Sequence, residues 1–356
     1  MSTDRALLES PATTPAQVLR AVYTDMDDVD FRHGVRVLTD AGFAVDYLNS
    51  TDPATITAAA HDATALLVGY ATVTAEMMDA MPALRIIALL SMGFNNIDVD
   101  AARERGIWVT NIPGAATEEV ASHALALALA VVRNLPFYSN AVQTGDWNAR
   151  DTLVPPRLSQ ARLGILGLGR IGTRFADMAK TIFGEIVGYD PVLPDTPEIR
   201  ERLASAGIRR TTLEEVQATS NVLSLHMPLT EETAGMVHAG FLAGMPAGSF
   251  LLNVSRGALV DSQALRNAVD AGHLAGAGLD VLDAEPPTAG HPLLGSPRIL
   301  ITPHVAYYSG FTEGEYVRQQ AQNVAAWLAG GRPDSPVAEL PHTPSATPTA
   351  GREDHA

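Results

Sequence analysis

Apolar positions in this chain gather into short runs, and stretches of helical periodicity or helical composition separate those runs. In the first part the runs predict strands at Leu19–Tyr23, Val45–Leu48, Ala65–Val68, Arg85–Leu89 and Trp108–Thr110. A second series begins near Ala161, with runs at Arg162–Leu166, Glu185–Tyr189, Val222–Leu225, Ser249–Leu252, Gly276–Leu279 and Ile299–Ile301. Strands alternating with helices build a parallel sheet with helices on its faces. Between the two series runs a long helical segment, opened by Thr117 with Glu118 and Glu119 beside the positive end of the dipole. It continues through Ala121 to about Gln143, with a kink expected at Pro136. Its apolar residues are too continuous for an exposed helix, which predicts burial between domains or between subunits. A last helix, about Thr312 to Leu328, follows the final strand and is expected to return to the first domain.

The length of 356 residues suits two domains, and 46% hydrophobic with 18% charged residues suits packed cores. Lys and Arg number 24 and Asp and Glu 40, a net charge of −16. That balance argues against coating nucleic acid or an anionic membrane, since both need a cationic face. There is no cysteine, so thiolate catalysis, disulfides and cysteine-ligated metal are excluded; Lys180 is the only lysine. No histidine–carboxylate spacing resembles a zinc-enzyme helix, and no metal is expected. Met1 to Pro15 lacks the apolar core of a signal peptide, and the longest apolar run, Ala124 to Val132, is too short for a membrane span. The expected location is the cytoplasm.

The strongest local motif is Gly167-Leu168-Gly169-Arg170-Ile171-Gly172, set between the apolar run ending at Leu166 and a helical run from Ile171 to Phe183. In a dinucleotide fingerprint the first glycine makes the turn, the second admits a pyrophosphate to the backbone and the third lets helix and strand pack closely. The amino end of the helix supplies N–H donors and positive dipole to the phosphates. Asp190, 18 residues past Gly172 at the end of the next strand, is placed to accept hydrogen bonds from the adenosine ribose and to repel a 2′-phosphate. No arginine follows in Pro191-Val192-Leu193, so NAD is preferred over NADP. The fold class expected is therefore α/β, with two doubly wound parallel-sheet domains. A Rossmann-type NAD domain, 113–305, is inserted into a flavodoxin-like substrate domain made of 18–112 and 306–332. The ends, 1–17 and the proline-rich 333–356, are expected to be disordered tails.

Three ionisable residues follow the last three strands of the second series: Arg256 in Asn253-Val254-Ser255-Arg256-Gly257, Glu285 before Pro286-Pro287, and His304 in Thr302-Pro303-His304. The carboxyl ends of parallel strands line the ligand crevice, so the three are expected to converge. A guanidinium suits the carboxylate and carbonyl of a 2-keto acid through its planar donor fork. A histidine suits the proton that a reduced carbonyl needs, and a carboxylate on its other nitrogen orients the ring. His226 closes a strand in the same half, where packing and contact with the cofactor are equally open readings; His123 reads as structural.

These motifs resemble the D-isomer-specific 2-hydroxyacid dehydrogenase family over roughly residues 18–332. Besides the glycine loop they include Leu225-His226-Met227-Pro228-Leu229-Thr230, Asn253 to Gly257, Leu279-Asp280-Val281, Glu285-Pro286-Pro287, Thr302-Pro303-His304 and, earlier, Gly106 to Gly114. The resemblance implies that Arg256 binds substrate, His304 is the acid/base and Glu285 its partner. It implies that Arg170, Ile171, Asp190, Thr233 and the backbone at Val254 hold NAD, and that Asp280 contacts the nicotinamide amide. It also implies a homodimer built through the 117–143 helical segment. Glutamate rather than glutamine at 285 favours hydroxy-acid over formate chemistry. Substrate contacts are expected from Tyr70, Met92, Gly93 and Tyr307, with Arg256.

Within the family, Tyr307-Tyr308-Ser309 and Tyr70 resemble the C-terminal-binding-protein branch, which includes NADH-responsive corepressors. Ser122 stands where the family commonly has glutamate, and Ser91 and Phe94 alter the loop expected to clasp the substrate carboxylate. The function expected is NAD(H)-dependent interconversion of a 2-keto acid and the (R)-2-hydroxy acid. An NADH-sensing, corepressor-like scaffold with little turnover is the alternative.

Overall fold

In the computed structural model the described residues are 19–25, 29–150 and 153–340. The tails expected at 1–17 and from 341 onward lie outside them. The described residues divide into two compact units, one of those up to Ala115 together with those from Gly310, the other Ala116–Ser309.

The first unit is built on strands β1 (Leu19–Tyr23), β2 (Phe43–Tyr47), β3 (Ala65–Val68), β4 (Ile86–Leu89) and β5 (Trp108–Thr110), all parallel, in the order β2-β1-β3-β4-β5. This is the flavodoxin-like order expected of a doubly wound sheet. β3 and β4 are buried at every position, as central strands covered on both faces must be. The helix Thr312–Gly330 returns to this unit, as its position after the last strand suggested. Its Gln320 is buried against the sheet and donates to the carbonyls of Ala88 (2.8 Å) and Val68 (3.4 Å). Asn323 on the next turn donates to the Asn111 carbonyl and accepts from the Ser335 amide.

The expectation of a tail from residue 333 is corrected over 333–340. There the Val337 amide donates to the Val109 carbonyl at 2.8 Å, and Pro336 bridges antiparallel to Thr110. β5 is an edge strand, and its open backbone groups are satisfied by this segment. Prolines either side of one bonding amide are compatible with edge pairing, which composition alone does not reveal.

The second unit holds β6 (Arg162–Leu166), β7 (Glu185–Tyr189), β8 (Ile208–Arg210), β9 (Val222–Leu225), β10 (Ser249–Asn253), β11 (Leu274–Leu279) and β12 (Ile299–Ile301). They form one parallel sheet in the order β12-β11-β10-β9-β6-β7-β8. Six strands were expected here. The seventh, β8, is a three-residue edge strand in which Ile208 is buried and two arginines follow, too short and too charged to read as a run. The core beneath the sheet includes Leu166, Leu223, Leu225, Leu251, Leu265 and Leu279.

The long helical segment is two helices, Thr117–Val132 and Leu135–Gln143, bent by 64°. Asn134 takes a left-handed backbone (φ 50°) that stops the first, and Pro136 lies in the first turn of the second, where a missing N–H costs nothing. The expected kink at Pro136 is therefore a break at Arg133–Asn134, just before it. The apolar face of the first helix is buried within its own unit, with Leu127 and Val131 packed over Gly278 of β11. Among the described residues no single helix is long and apolar enough to cross a membrane.

Gln320→Ala removes two hydrogen bonds to strand carbonyls and leaves a cavity beneath β3 and β4. It is expected to lower the stability of the first unit by about 1–3 kcal/mol. Urea unfolding followed by Trp108 and Trp327 fluorescence measures this; an unchanged midpoint would refute it.

Candidate active site

The glycine loop links β6 to the helix Arg170–Ala179. Gly167 has φ +95°, and a Cβ there would lie 2.6 Å from the backbone of His226 at the end of β9. A Cβ at Gly172 would lie 2.1 Å from the Gly167 carbonyl oxygen, so the helix reaches the strand only because both positions lack side chains. Gly169 caps the helix without a side-chain bond to the first-turn amides, and a Cβ there would meet nothing within 4 Å. An uncapped helix start with open space before it suits a dinucleotide pyrophosphate. Asp190 at the end of β7 is held by backbone amides, Leu168 at 2.9 Å on Oδ2, and Val192 and Leu193 at 3.1 Å on Oδ1. Its carboxylate is thus tied to the loop that Gly167 opens, and these residues together fit the cofactor their order implies.

His226 lies against this loop. Its Nε2 pairs with Ser224 Oγ at 2.8 Å, and its Nδ1 is buried with no partner. Burial without a partner for the charged form pushes its pKa down to about 3, so the ring is neutral near pH 7. Thr233 shapes the turn after β9, accepting from the Thr230 amide and donating to the Pro228 carbonyl, both at 2.8 Å. Ser255 Oγ donates to the Met227 carbonyl at 2.8 Å, which ties the loop carrying Val254 and Arg256 to the same strand end.

Arg256, Glu285 and His304 are brought together as expected from their strand ends. His304 Nδ1 donates to Glu285 Oε2 at 2.7 Å, and the Leu282 amide holds Oε1 at 2.7 Å. Burial would raise the Glu285 carboxyl; the bonds from His304 and Leu282 and the charge of Arg256 outweigh it and hold it below its usual value. Desolvation lowers the Arg256 guanidinium from its ordinary value, with Glu285 acting in the opposite sense. Gly257 makes this convergence possible, since a Cβ there would lie 1.8 Å from the carbonyl carbon of Leu282. A side chain of any size would push apart the loops of Arg256 and Glu285.

Asp280, at the end of β11, organises the loop of His304. Its carbonyl accepts the His304 amide at 2.8 Å, its Oδ1 the Val305 amide at 3.0 Å and its Oδ2 the Ala306 amide at 2.9 Å. Thr302 Oγ1 also donates to Oδ1 at 2.6 Å. His304 has a left-handed backbone (φ 54°), a conformation that costs a non-glycine residue on the order of 1 kcal/mol and needs such support. Thr302 and Gly257 are functional residues that carry no chemistry of their own in the sequence; their signal is their place in the motifs beside His304 and Arg256.

Tyr307 follows this clamp, its ring edge-on to Tyr308. Tyr70, Met92 and Gly93 belong to the first unit, at the carboxyl ends of its strands. The buried carboxylate of Asp25, after β1, accepts the amides of Gly69 (3.1 Å), Tyr70 and Ala71 (3.2 Å) and so fixes the Tyr70 loop. Asn111 Nδ2 donates to the Met92 carbonyl at 2.7 Å and Ser91 Oγ to the Gly93 carbonyl at 2.6 Å. Ser91 therefore closes its own loop rather than projecting from it.

His226 generates a pH prediction. The unfolded chain protonates this histidine below about pH 6.5, whereas the folded chain resists until about pH 3. Unfolding thus takes up a proton in that window, and stability is lost as pH falls from about 6.5. Urea midpoints by circular dichroism between pH 7 and 5 are expected to fall less steeply in His226→Asn, by up to about tenfold in the folding equilibrium per pH unit. Equal slopes in the two proteins would remove the assignment.

A family model, "D-isomer specific 2-hydroxyacid dehydrogenase, NAD binding domain", matches residues 125–306. A D-3-phosphoglycerate dehydrogenase of Mycobacterium tuberculosis is 35% identical over 80% of this chain and 53% of its own length. The chain spans about half the length of the D-3-phosphoglycerate dehydrogenases it matches. A glyoxylate reductase of Korarchaeum cryptofilum is 37% identical over 74% of this chain and 79% of its own. Among solved structures, D-lactate dehydrogenase from Aquifex aeolicus, complexed with NAD and lactic acid, aligns with a TM-score of 0.78 at 28% identity, over 87% of this chain and 96% of that one. With the ordered motifs and both sheets in agreement, the chain belongs to the D-isomer-specific 2-hydroxyacid dehydrogenase family.

Proposed function

We propose that the protein is an NAD(H)-dependent oxidoreductase that interconverts a 2-keto acid and the (R)-2-hydroxy acid. The observation that carries this reading is the 2.7 Å pair of His304 Nδ1 and Glu285 Oε2, with the Glu285 carboxyl also feeling the charge of the half-buried Arg256. Because Nδ1 is engaged, Nε2 is the atom that exchanges a proton with the substrate oxygen. In reduction it protonates the oxygen of the former carbonyl; in oxidation it removes that proton from the hydroxyl. Glu285 holds the ring in orientation and offsets the positive charge of the protonated form. Arg256, partly stripped of water, binds the substrate carboxylate and carbonyl through its donor fork. NAD, when bound, supplies or accepts the hydride.

The first-turn amides of Arg170 and Ile171, with Gly167, Gly169 and Gly172, would take the pyrophosphate. Asp190 would take the adenosine ribose, and its charge favours NAD over its 2′-phosphorylated form. Thr233, His226 and the Val254 backbone would line the rest of the cofactor surface, with Asp280 near the nicotinamide amide. The segments after β1, β3, β4 and β5 contain no lysine or arginine at residues 24–25, 29–31, 69–74, 90–98 and 111–116. This supports a substrate without a phosphate group, unlike that named for the D-3-phosphoglycerate dehydrogenases. Tyr70, Met92, Gly93, Phe94 and Tyr307 suit an apolar or aromatic side chain. Placement in the C-terminal-binding-protein-like branch rests on Tyr70 and Tyr307-Tyr308-Ser309.

The reading is tested by NADH oxidation at 340 nm over a panel of aliphatic, aromatic and phosphorylated 2-keto acids. Turnover is expected on unphosphorylated acids. His304→Asn is expected to lower kcat by about 10²–10⁴-fold, and Arg256→Gln to lower kcat/KM by about 10²-fold or more. NADH-dependent association of the wild type with no turnover on any acid would replace the enzyme with the scaffold reading.

A homodimer through the 117–143 segment is part of the proposal. The helix Leu135–Gln143 buries none of its residues, Leu135, Val142, Trp147 and Val154 are exposed, and Phe137 and Leu153 line a cavity of about 250 Å³. Val142→Glu combined with Trp147→Glu is expected to sediment as a monomer where the wild type sediments as a dimer. A wild-type monomer, or an unaffected dimer, would exclude this surface.

A further inference from the structure

The clamp that Asp280 places on the His304 loop continues outward to a second histidine. His123, on the helix Thr117–Val132, places Nε2 at 2.9 Å from Thr302 Oγ1 and at 3.6 Å from Asp280 Oδ1. The Thr302 hydroxyl spends its single proton on Asp280 Oδ1 at 2.6 Å, since a carboxylate that already accepts two backbone amides is an acceptor only. Thr302 Oγ1 can then only accept from the ring, so Nε2 of His123 carries a proton. The result is a directed chain from His123 Nε2–H to the Thr302 hydroxyl, to Asp280 Oδ1, and so to the amides of Val305 and Ala306.

We infer that His123 is a positioning residue for the reaction. It acts through Thr302 and Asp280 to hold the loop that keeps His304 in its left-handed conformation. Two features make the link more than packing. First, Asp280 Oδ1 is shared between the Thr302 hydroxyl and the Val305 amide, so a hydroxyl free to rotate away would leave that oxygen with one fewer donor. Second, the strained residue of this loop is the proposed acid/base itself, with its backbone bonded to the Asp280 carbonyl. Its effect is exerted on the geometry of the His304 loop, through Thr302 and Asp280. The inference rests on the assignment of His304 as acid/base made above.

The test uses the full chain with Thr302→Val, Thr302→Ser, His123→Ala and His123→Gln. Valine keeps the shape of threonine and loses the hydroxyl, whereas serine keeps the hydroxyl and loses the methyl. Thr302→Val and His123→Ala are expected to speed amide hydrogen exchange in the 304–306 segment by tenfold or more. They are expected to lower kcat on an active 2-keto acid by a similar factor, with NADH affinity from fluorescence titration changed less than threefold. Thr302→Ser and His123→Gln, which keep a donor in place, are expected to restore most of both. The inference is overturned if exchange at 304–306 is unchanged in Thr302→Val and His123→Ala, or if Thr302→Ser behaves like Thr302→Val. A wild type without turnover, but with the exchange pattern as described, would defeat the catalytic reading and leave the positioning chain standing.

Discussion

Three consecutive amides, those of His304, Val305 and Ala306, all point at one residue, Asp280. The proposed chemistry depends on that arrangement. A histidine with a positive φ has a backbone that relaxes elsewhere unless several bonds oppose it at once. Asp280 supplies those bonds from a buried position at the end of β11, so the orientation of a half-exposed imidazole is set from within the sheet. Its partner Glu285 is set separately, by the Leu282 amide, and the two constraints meet in one 2.7 Å bond. Preorganisation of this kind costs little at the moment of reaction, because the groups do not have to be gathered first.

Glycines do the complementary work of allowing loops to approach. Gly257 brings the Arg256 loop onto the Leu282–Asp283 backbone, and Gly167 and Gly172 bring a strand end, a helix start and His226 together. At each of these positions a methyl group would overlap backbone rather than a movable side chain, so the fit leaves no room for adjustment. The same strand ends therefore carry both the uncapped helix start and the Arg–Glu–His set. A parallel sheet makes this economical, since all its carboxyl ends face one way.

The charge of the chain is reconciled with anionic ligands by locality. A net charge of −16 would repel both a dinucleotide and a carboxylic acid if it were spread evenly. Many of the arginines are occupied in exposed pairs, such as Arg105 with Asp79 and Arg200 with Asp195, which contribute little to stability but quench their own charges. The glycine-loop helix start and the partly desolvated Arg256 are the groups at the strand ends proposed to meet those anions.

Much of this was legible in the residue pattern. Short apolar runs located eleven of the twelve strands among the described residues, most of them because a buried parallel strand has to be apolar along its whole length. The glycine spacing, Asp190, and the Arg256, Glu285 and His304 positions were readable because each is a local pattern at a strand end. The rest depended on partners distant in sequence. β8 hides because an edge strand need bury only one face, and Val337 pairs with β5 although its surroundings read as a tail. The helix from Thr117 finds its cover in its own sheet, which its composition could not specify. The roles of Gly257, Thr302 and His123 follow from contacts with residues between 22 and 179 positions away. Sequence by itself determined the two sheets, the nucleotide fingerprint and the three candidate side chains at the strand ends, since these follow from periodicity and local chemistry. Only the tertiary structure decided what holds the histidine in place, because a hydrogen bond across a fold depends on distance in space and leaves no period along the chain.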